Sequence, residues 1–408
     1  MKTQNAVGII AEYNPFHNGH AYHLSETRRI VGYLPIIAVM SGNFVQRGLP
    51  ALTDKWSRSI VAVQNGVDLV LELPAIFSCR SAEHFARGAI SLLKATGCVS
   101  HLAFGCEEKN LDLLLAAAAA LETTHEGRST VIAKGLSYAA AVGWALSAKN
   151  PALKDVIDKP NNILAIEYLR HCQKLSAPFT PVAVCRKDSS YNDTVIKGKI
   201  ASATAIRQEF LQNGFSEKVA DTLPQPTKQA LSELLRQQKL GYMGENLDTL
   251  LLHALRQLSA QDIKERCECS EGLENKILRA AAAKNHAQAV SMIKSKRYPE
   301  TRINRLLLQI LLSSTDNPFK GAVAELPSYI RVLAFNDRGR HLLKQMRQTS
   351  ELPIIIKMGR TFLTKNAGNE RLISSLKVDM AASELFSLLQ NCSLPYPADL
   401  KLSPAYLP

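Results

Sequence analysis

Four apolar runs, AVGIIAEY (6–13), LPIIAVMS (34–41), VDLVLELP (67–74) and VSHLAFG (99–105), follow one another at a spacing of about 30 residues. Each gap carries a helix pattern. Helices are expected from Asn18 to Val31, from Asp54 to Val63, and from Ser81 to about Thr96. Asn65-Gly66 and Gly97 supply the stops after the last two. Strands that alternate with helices in this way predict an α/β chain with a parallel sheet covered on both faces. Ligands of such sheets bind at the carboxyl ends of the strands.

Further along, residues 108–148 read as Ala-rich and helical, and FTPVAVCRK (179–187) reads as a fifth strand. Ser202 opens another helix. After Pro224 and Pro226 the pattern is mostly helical to about Ser314, followed by a small mixed segment near 320–400 with LPIIIK (352–357) as a strand candidate. The expected division is 1–215 for the α/β part and 216–408 for a largely helical part. A chain of 408 residues, 46% apolar and 21% charged, has room for more than one core and lies outside the disordered class. The longest apolar runs, LLLAAAAAL and YAAAVGWAL, are far too short to span a membrane. With no signal peptide visible and eight scattered cysteines, free thiols in a reducing cytoplasm are expected.

The net charge is +13, and it is concentrated: residues 276–305 hold eight Lys and Arg against one Glu. A local basic patch points to a polyanionic partner, with a solvated helix face as the plain alternative.

The stretch EYNPFHNGH (12–20) carries the chemistry. It lies where the first strand turns into the first helix. His17 and His20 leave the first helical turn together, Pro15 sets the turn, and Gly19 lets a ligand approach the backbone. Open N–H groups at a helix start favour an anion, and the two imidazoles can donate to phosphate oxygens. Zinc would need further ligands that the sequence does not place nearby. Two satisfied histidines in a turn are the plain reading. No P-loop motif, no G-x-G-x-x-G after the first strand and no H-E-x-x-H is present.

H-x-G-H behind a first strand is similar to the signature of the nucleotidyltransferase superfamily. Taken with SGNFVQRGLPALTDKW (41–56), DLVLELP (68–74), SAEHFA (81–86), FGCE (104–107) and PNNILAIEYL (160–169), the chain resembles bacterial tRNA(Met) cytidine acetate ligases over most of its length. The resemblance implies a Rossmann-like nucleotidyltransferase domain followed by a mostly helical half. It also implies an enzyme that activates acetate with ATP, as acetyl-adenylate, and passes the acetyl group to the wobble cytidine of elongator tRNA(Met). Mg²⁺ would arrive with the ATP. His17 and His20 would be catalytic. The ATP contacts implied are Ile10, Ala11, Glu12, Tyr13, Asn14, Pro15, Phe16, His17, Asn18, Gly19, His20, Ala21, Tyr22 and His23, with Gly105, Asn162 and Arg186.

IASATAIR (200–207) resembles the superfamily's S-x-T-x-I-R signature, so that Ser202, Thr204 and Arg207 would hold the β- and γ-phosphates. Read on their own, Gly105 is a turn glycine at a strand end, Asn162 a helix cap, Arg186 a surface residue, and Ser202 a cap followed by an exposed Arg207. The loop RKDSSYND (186–193) departs from the glycine-richer family pattern, so apart from Arg186 it is left out of the catalytic set. The segment 41–54 is expected at the rim of the site, without individual roles. Lys294, Lys296, Arg297, Arg302 and Arg305 are the expected RNA contacts; Tyr298 either stacks on a base or packs inside. Two alternatives stay open: an adenylyltransferase acting on a small phosphorylated acceptor, and a tRNA-binding protein without catalysis.

Overall fold

The computed structural model describes residues 5–122, 143, 147, 153–157, 159–186, 195–240, 244–269, 272–313, 318–321 and 325–408. Most of the helix expected over 108–148, and residues 187–193 of the RKDSSYND loop together with residue 194, lie outside the described residues.

The early strands and helices form as their patterns predict. Strand β1 is Ala6–Ala11, helix α1 Asn18–Val31, β2 Ile36–Ser41, α2 Lys55–Gln64 and β3 Leu69–Leu73. A short helix not expected from the sequence, α3, is Ala75–Ser78; α4 is Ala82–Ala95, β4 Val99–Cys106 and α5 Leu111–Glu122. β2 and β3 are buried along their whole length, as continuous apolar strands covered on both faces must be. Asp54 caps α2, its Oδ1 accepting from Ser57 N at 2.9 Å. Glycines 32, 66 and 97 follow α1, α2 and α4 with φ of +77°, +103° and +67°, a conformation that favours glycine.

With β5 (Thr180–Cys185), the parallel part of the sheet has the order β5-β4-β1-β2-β3. The chain runs outward from β1 on one side through β2 and β3, and on the other through β4 and β5. The carboxyl ends of β1 and β4 therefore frame a crevice. A strand not expected from the sequence, β6 (Ile330–Phe335), pairs antiparallel with β3. β7 (Ile354–Ile355) and β8 (Ala405–Tyr406) pair with β6. One sheet is thus shared by the two halves of the chain.

β6 is hidden in the sequence because Arg331 interrupts its apolar run, and the structure accounts for that charge. Lys55 Nζ donates to both carboxylate oxygens of Glu72, at 2.7 and 2.9 Å, and to Asp399 Oδ1 at 2.8 Å. Arg331 reaches the same two carboxylates. All four side chains are at most 5% exposed. A second core fills the helical part, between helices Glu245–Gln257, Ala260–Arg266, Leu273–Arg279, His286–Ile293 and Glu300–Leu312. The last of these faces both cores: Ile303 and Ile310 enter the helical one, Leu308 and Leu312 the sheet core. No helix among the described residues is long and apolar enough to cross a membrane.

Removing one partner of a buried ion cluster leaves the others uncompensated. Asp399→Ala should destabilise the protein by roughly 3–5 kcal/mol. The effect is read as a lower urea midpoint at unchanged slope. A loss below about 1 kcal/mol, the range of exposed pairs, would show that solvent screens the cluster.

Candidate functional site

The turn after β1 is built around the two histidines. His17 is the N-cap of α1. Gly19 N–H donates to His17 Nδ1 at 3.0 Å, and His17 N–H donates to His20 Nδ1 at 3.2 Å. The rings stack with centroids 3.9 Å apart and 30° between planes. Since each Nδ1 accepts a backbone proton, each neutral ring carries its own proton on Nε2. Burial, reinforced by Arg186 and Arg207, pulls the His17 pKa down to about 3. Burial and the neighbours His17, Arg186 and His23 hold His20 well below its ordinary value. Burial brings His23 to about 4, a backbone hydrogen bond at Phe104 opposing it and Arg186 adding to it. The pair consists of neutral hydrogen-bond donors.

The start of α1 is less open than its sequence implies. Asn18 N–H donates to Thr222 O at 2.9 Å and His20 N–H to His17 O at 2.8 Å, while Gly19 N–H is taken by His17. An anion here must be gripped by side chains. Gly19 is required by its own neighbour: a Cβ there would lie 2.8 Å from His17 Cε1.

Three separate motifs converge on one cavity. Its wall includes Ile10, Ala11, Glu12, Tyr13, Asn14, His17, Gly19, His20, Tyr22 and His23 from the first, Gly105 and Arg186 from the ends of β4 and β5, and Ser202, Thr204 and Arg207 from the third. Arg207 Nη1 donates to Asn14 O at 2.6 Å, tying the third motif to the first. Ser202 also caps helix Ala203–Asn213, accepting from Ala205 N at 3.0 Å. A Cβ at Gly105 would meet Arg186 Cγ at 3.8 Å and His23 Cδ2 at 3.9 Å, ordinary contacts, so the surrounding protein leaves room for a side chain there.

Pro15, Phe16, Asn18 and Ala21 are not on that wall. Phe16 packs behind it against Tyr13 and His20. Asn18 Nδ2 donates to Lys199 O and Asp221 O, both at 2.9 Å. Asn162 is fully buried behind the cavity as well. Its Oδ1 accepts from Glu107 N at 2.8 Å and Glu108 N at 3.0 Å, and its Nδ2 donates to Val156 O at 2.9 Å. Asn161 stands on the wall in its place. Adjacent helical residues point about 100° apart, and the sequence PNN does not say which Asn faces in.

Segment 42–54 is the rim. Gln46 N–H donates to Glu12 Oε1 at 2.8 Å and Leu52 N–H to Asn14 Oδ1 at 2.7 Å, so Glu12 and Asn14 hold the loop in place. Val45, Gln46 and Arg47 line the cavity, as do Phe85, Phe104, Leu164 and Tyr168, which sequence reasoning missed. The only signal available for these was proximity to strand ends and helix starts.

The basic segment divides. Lys296 is exposed and Arg297 half-buried. Lys294 pairs with Glu300 at 3.2 Å. Tyr298 is 6% exposed inside the helical core, with Arg302 5.0 Å and Arg297 5.8 Å from its ring centroid, so packing accounts for it. Arg305, expected to contact RNA, turns to the rim instead: Nη1 donates to Gln46 O at 3.4 Å, and burial brings its pKa down to about 10.

The tautomers are directly measurable. Without nucleotide, ¹⁵N imidazole correlations should show His17 and His20 neutral, with the proton on Nε2, from about pH 5 to 8. Titration of either ring in that window would contradict the assignment. The unfolded chain's histidines take up protons near about pH 6.5, whereas His17 and His23 resist to about 3 and 4. Their contribution to stability is therefore complete above the unfolded pKa and declines as pH falls below it.

Comparison with known proteins agrees with the geometry. Residues 4–397 match the family model described as HIGH Nucleotidyl Transferase. The chain is 39% identical to a tRNA(Met) cytidine acetate ligase of Clostridium kluyveri, over 97% of this chain and 98% of that protein. It is 38% identical to one of Halothermothrix orenii, over 94% of each. The fold is similar to the crystal structure of apo Thermotoga maritima TmcAL, with a TM-score of 0.91, 30% identity and 99% of both chains covered. For TmcAL bound with alpha-thio ATP the TM-score is 0.89, at the same identity and coverage. This chain belongs to the HIGH nucleotidyl transferase family and, within it, to the tRNA(Met) cytidine acetate ligases.

Proposed function

We propose that this chain activates acetate with ATP and transfers the acetyl group to the exocyclic amine of the wobble cytidine in elongator tRNA(Met), giving N4-acetylcytidine. The observation that carries the reading is the convergence of His17 and His20 with Arg186, Arg207, Ser202 and Thr204 on one cavity at the carboxyl ends of the strands. Two guanidinium groups supply permanent charge for the phosphates, and two neutral imidazoles supply directed Nε2–H donors. In the first step a carboxylate oxygen of acetate bonds to the α-phosphorus, and the bond to the bridging oxygen breaks, releasing pyrophosphate. Donors fixed beforehand stabilise the charge that develops on the phosphate oxygens. In the second step the cytosine amine attacks the acyl carbon. The bond from that carbon to the AMP oxygen breaks, AMP leaves, and the amine proton is lost to solvent. The mixed anhydride is already activated, so this step chiefly needs positioning.

Among the described residues lining the cavity, Glu12 is the one carboxylate, and one of its oxygens accepts from Gln46 N–H. These residues by themselves do not build a metal cage. Mg²⁺ fits as a companion of ATP, held chiefly by phosphate oxygens, whose charge it would offset. Lys294, Lys296, Arg297 and Arg302 on the helical half are the proposed RNA contacts, placed to neutralise phosphates around the anticodon.

The test is incubation of the protein with ATP, labelled acetate and mixed tRNA, followed by nucleoside analysis. Labelled N4-acetylcytidine is expected, together with acetate-dependent ATP–pyrophosphate exchange. Exchange driven by a small phosphorylated acceptor instead of acetate would favour an adenylyltransferase. His17→Ala and His20→Ala should each lower turnover by about 100-fold or more; full activity in either would remove its role. Reversing the charges of Lys296 and Arg297 should raise the KM for tRNA and flatten its salt dependence. Unchanged tRNA kinetics would move the RNA surface elsewhere.

A further inference from the structure

The cavity has two flanks with different chemistry. The groups proposed for ATP come from the β1–α1 turn, from the exits of β4 and β5, and from helix Ala203–Asn213. The other flank comes from the opposite side of β1 in the sheet order, from the loop that follows β2. There Val45, Gln46 and Arg47 reach the wall, joined by Phe85 from the first turn of α4. The two contributing segments touch: Gln46 Nε2 donates to Arg80 O at 2.9 Å, and Cys79 Sγ lies 3.8 Å from Phe44 O. This flank therefore offers one guanidinium beside two apolar side chains that are almost fully buried, Val45 at 4% and Phe85 at 3% exposure.

The loop that carries Arg47 is held from both sides. In front, Gln46 N–H is bound to Glu12. Behind, Gly48, at φ +76°, lies so close to helix Glu300–Leu312 that a Cβ would come within 2.6 Å of Asn304 C and 2.7 Å of Arg305 Cα. Arg305 adds its hydrogen bond to Gln46 O. A backbone fixed in this way presents Val45 and Arg47 without needing to be ordered by a ligand.

One cation next to a small apolar surface matches a short carboxylic acid, with one negative head and one or two carbons behind it. The phosphate groups of ATP and RNA do not use the apolar part, and their uncharged bases do not call for the guanidinium. We propose that Val45, Arg47 and Phe85 form the acetate subsite. Arg47 binds the carboxylate on the flank away from β4, and Val45 and Phe85 enclose the methyl group and limit acyl length. The proposal deepens the acetate-activating reading and rests on it.

The experiment is acetate-dependent ATP–pyrophosphate exchange in the full chain without tRNA. Failure of the wild-type chain to exchange with any short carboxylate would remove the functional reading itself. Given wild-type exchange, Arg47→Ala should raise the KM for acetate by about 10- to 100-fold, the range for losing a hydrogen bond to a charged group. The KM for ATP should stay within about twofold. Arg47→Lys should recover most of the loss. Val45→Ala should raise the propionate-to-acetate ratio of kcat/KM by about tenfold, the discrimination a pocket gains per methylene. A gain with propionate is a readout that misfolding does not produce. An unchanged KM for acetate in Arg47→Ala would overturn the subsite, as would a rise in the KM for ATP of equal size. So would an Arg47→Ala variant whose only defect is a raised KM for tRNA in the complete reaction. An unchanged propionate-to-acetate ratio in Val45→Ala would remove the size filter.

Discussion

The guanidinium of Arg58 joins three pieces of backbone at the edge of the cavity. It donates to Glu12 O just past β1 at 2.6 Å, to Ser41 O at the end of β2 at 3.2 Å, to Gly42 O, and to Thr53 O at the far end of the rim loop at 3.1 Å. Burial pulls its pKa down to about 10, opposed by Asp54, Glu12 and Glu72. It therefore remains a cation at neutral pH, and a cation can satisfy several carbonyls together. Lys55, one turn earlier in α2, does the corresponding work toward the rest of the chain through Glu72 and Asp399. Asn43 adds a second tie to the distant part of the chain, accepting from Lys55 N at 2.7 Å and donating to Ser383 Oγ at 3.2 Å. The first turn of α2 thus fixes the carboxyl ends of β1 and β2 and binds them to residues near the C-terminus. Uncharged side chains of the same size would leave these carbonyls and carboxylates without partners, at a cost of several kcal/mol.

A second linkage runs from the rim to the helical half. Arg80, 1% exposed, is ion-paired with Glu268, with Nε to Oε2 at 3.0 Å. Glu268 in turn is held by Gln309, which donates from Nε2 at 3.0 Å and accepts from Glu268 N at 2.9 Å. Gln309 and Arg305 lie on the same helix, Glu300–Leu312. The helix that follows the basic segment is therefore bonded to the rim loop at Gln46 and to Arg80 behind it. Gly48 brings the loop backbone into direct contact with the backbone of that helix at Asn304 and Arg305. This explains why Arg305 appears among the cations in sequence yet serves the loop in structure. Its charge completes a carbonyl's hydrogen bonding at the half-buried contact between loop and helix.

What was legible in the sequence follows from which forces act locally. The first four strands and their helices could be read because apolar periodicity, Asp54 at its cap and the glycine stops all act within a few residues. β6 was not legible, since Arg331 is tolerable inside it only through Glu72 and Asp399, which are distant in sequence. The cavity could be located, since H-x-G-H, Arg186 and the Ser202–Arg207 motif occupy ends of predicted elements. Roles within it were harder. Gly19 read as room for a ligand; it does line the cavity, and it also makes room for the His17 ring, which no spacing rule announces. Asn162 read as a ligand contact or a cap, and its side chain instead braces Glu107, Glu108 and Val156. Rotation about a helix axis and the direction of a hydrogen bond are tertiary facts, and no spacing rule contains them.

The neutrality of the histidine pair has a physical logic of its own. Two unit charges about 4 Å apart repel by about 4 kcal/mol at an effective dielectric constant of 20. Protonating both stacked rings beside Arg186 and Arg207 would add to that in a buried place. The fold avoids the cost by giving each Nδ1 a backbone N–H to accept, which fixes the tautomer as well as the ring. Phosphate charge that enters the cavity then meets permanent cations from arginine and oriented donors from imidazole. The donors require no proton uptake and little reorganisation when charge shifts between oxygens at the α-phosphorus. Preorganisation of that kind lowers a barrier only if the donors cannot rotate away. The interlocked rings, with Gly19 pressed against one and Phe16 and Tyr13 against the other, deny them that freedom.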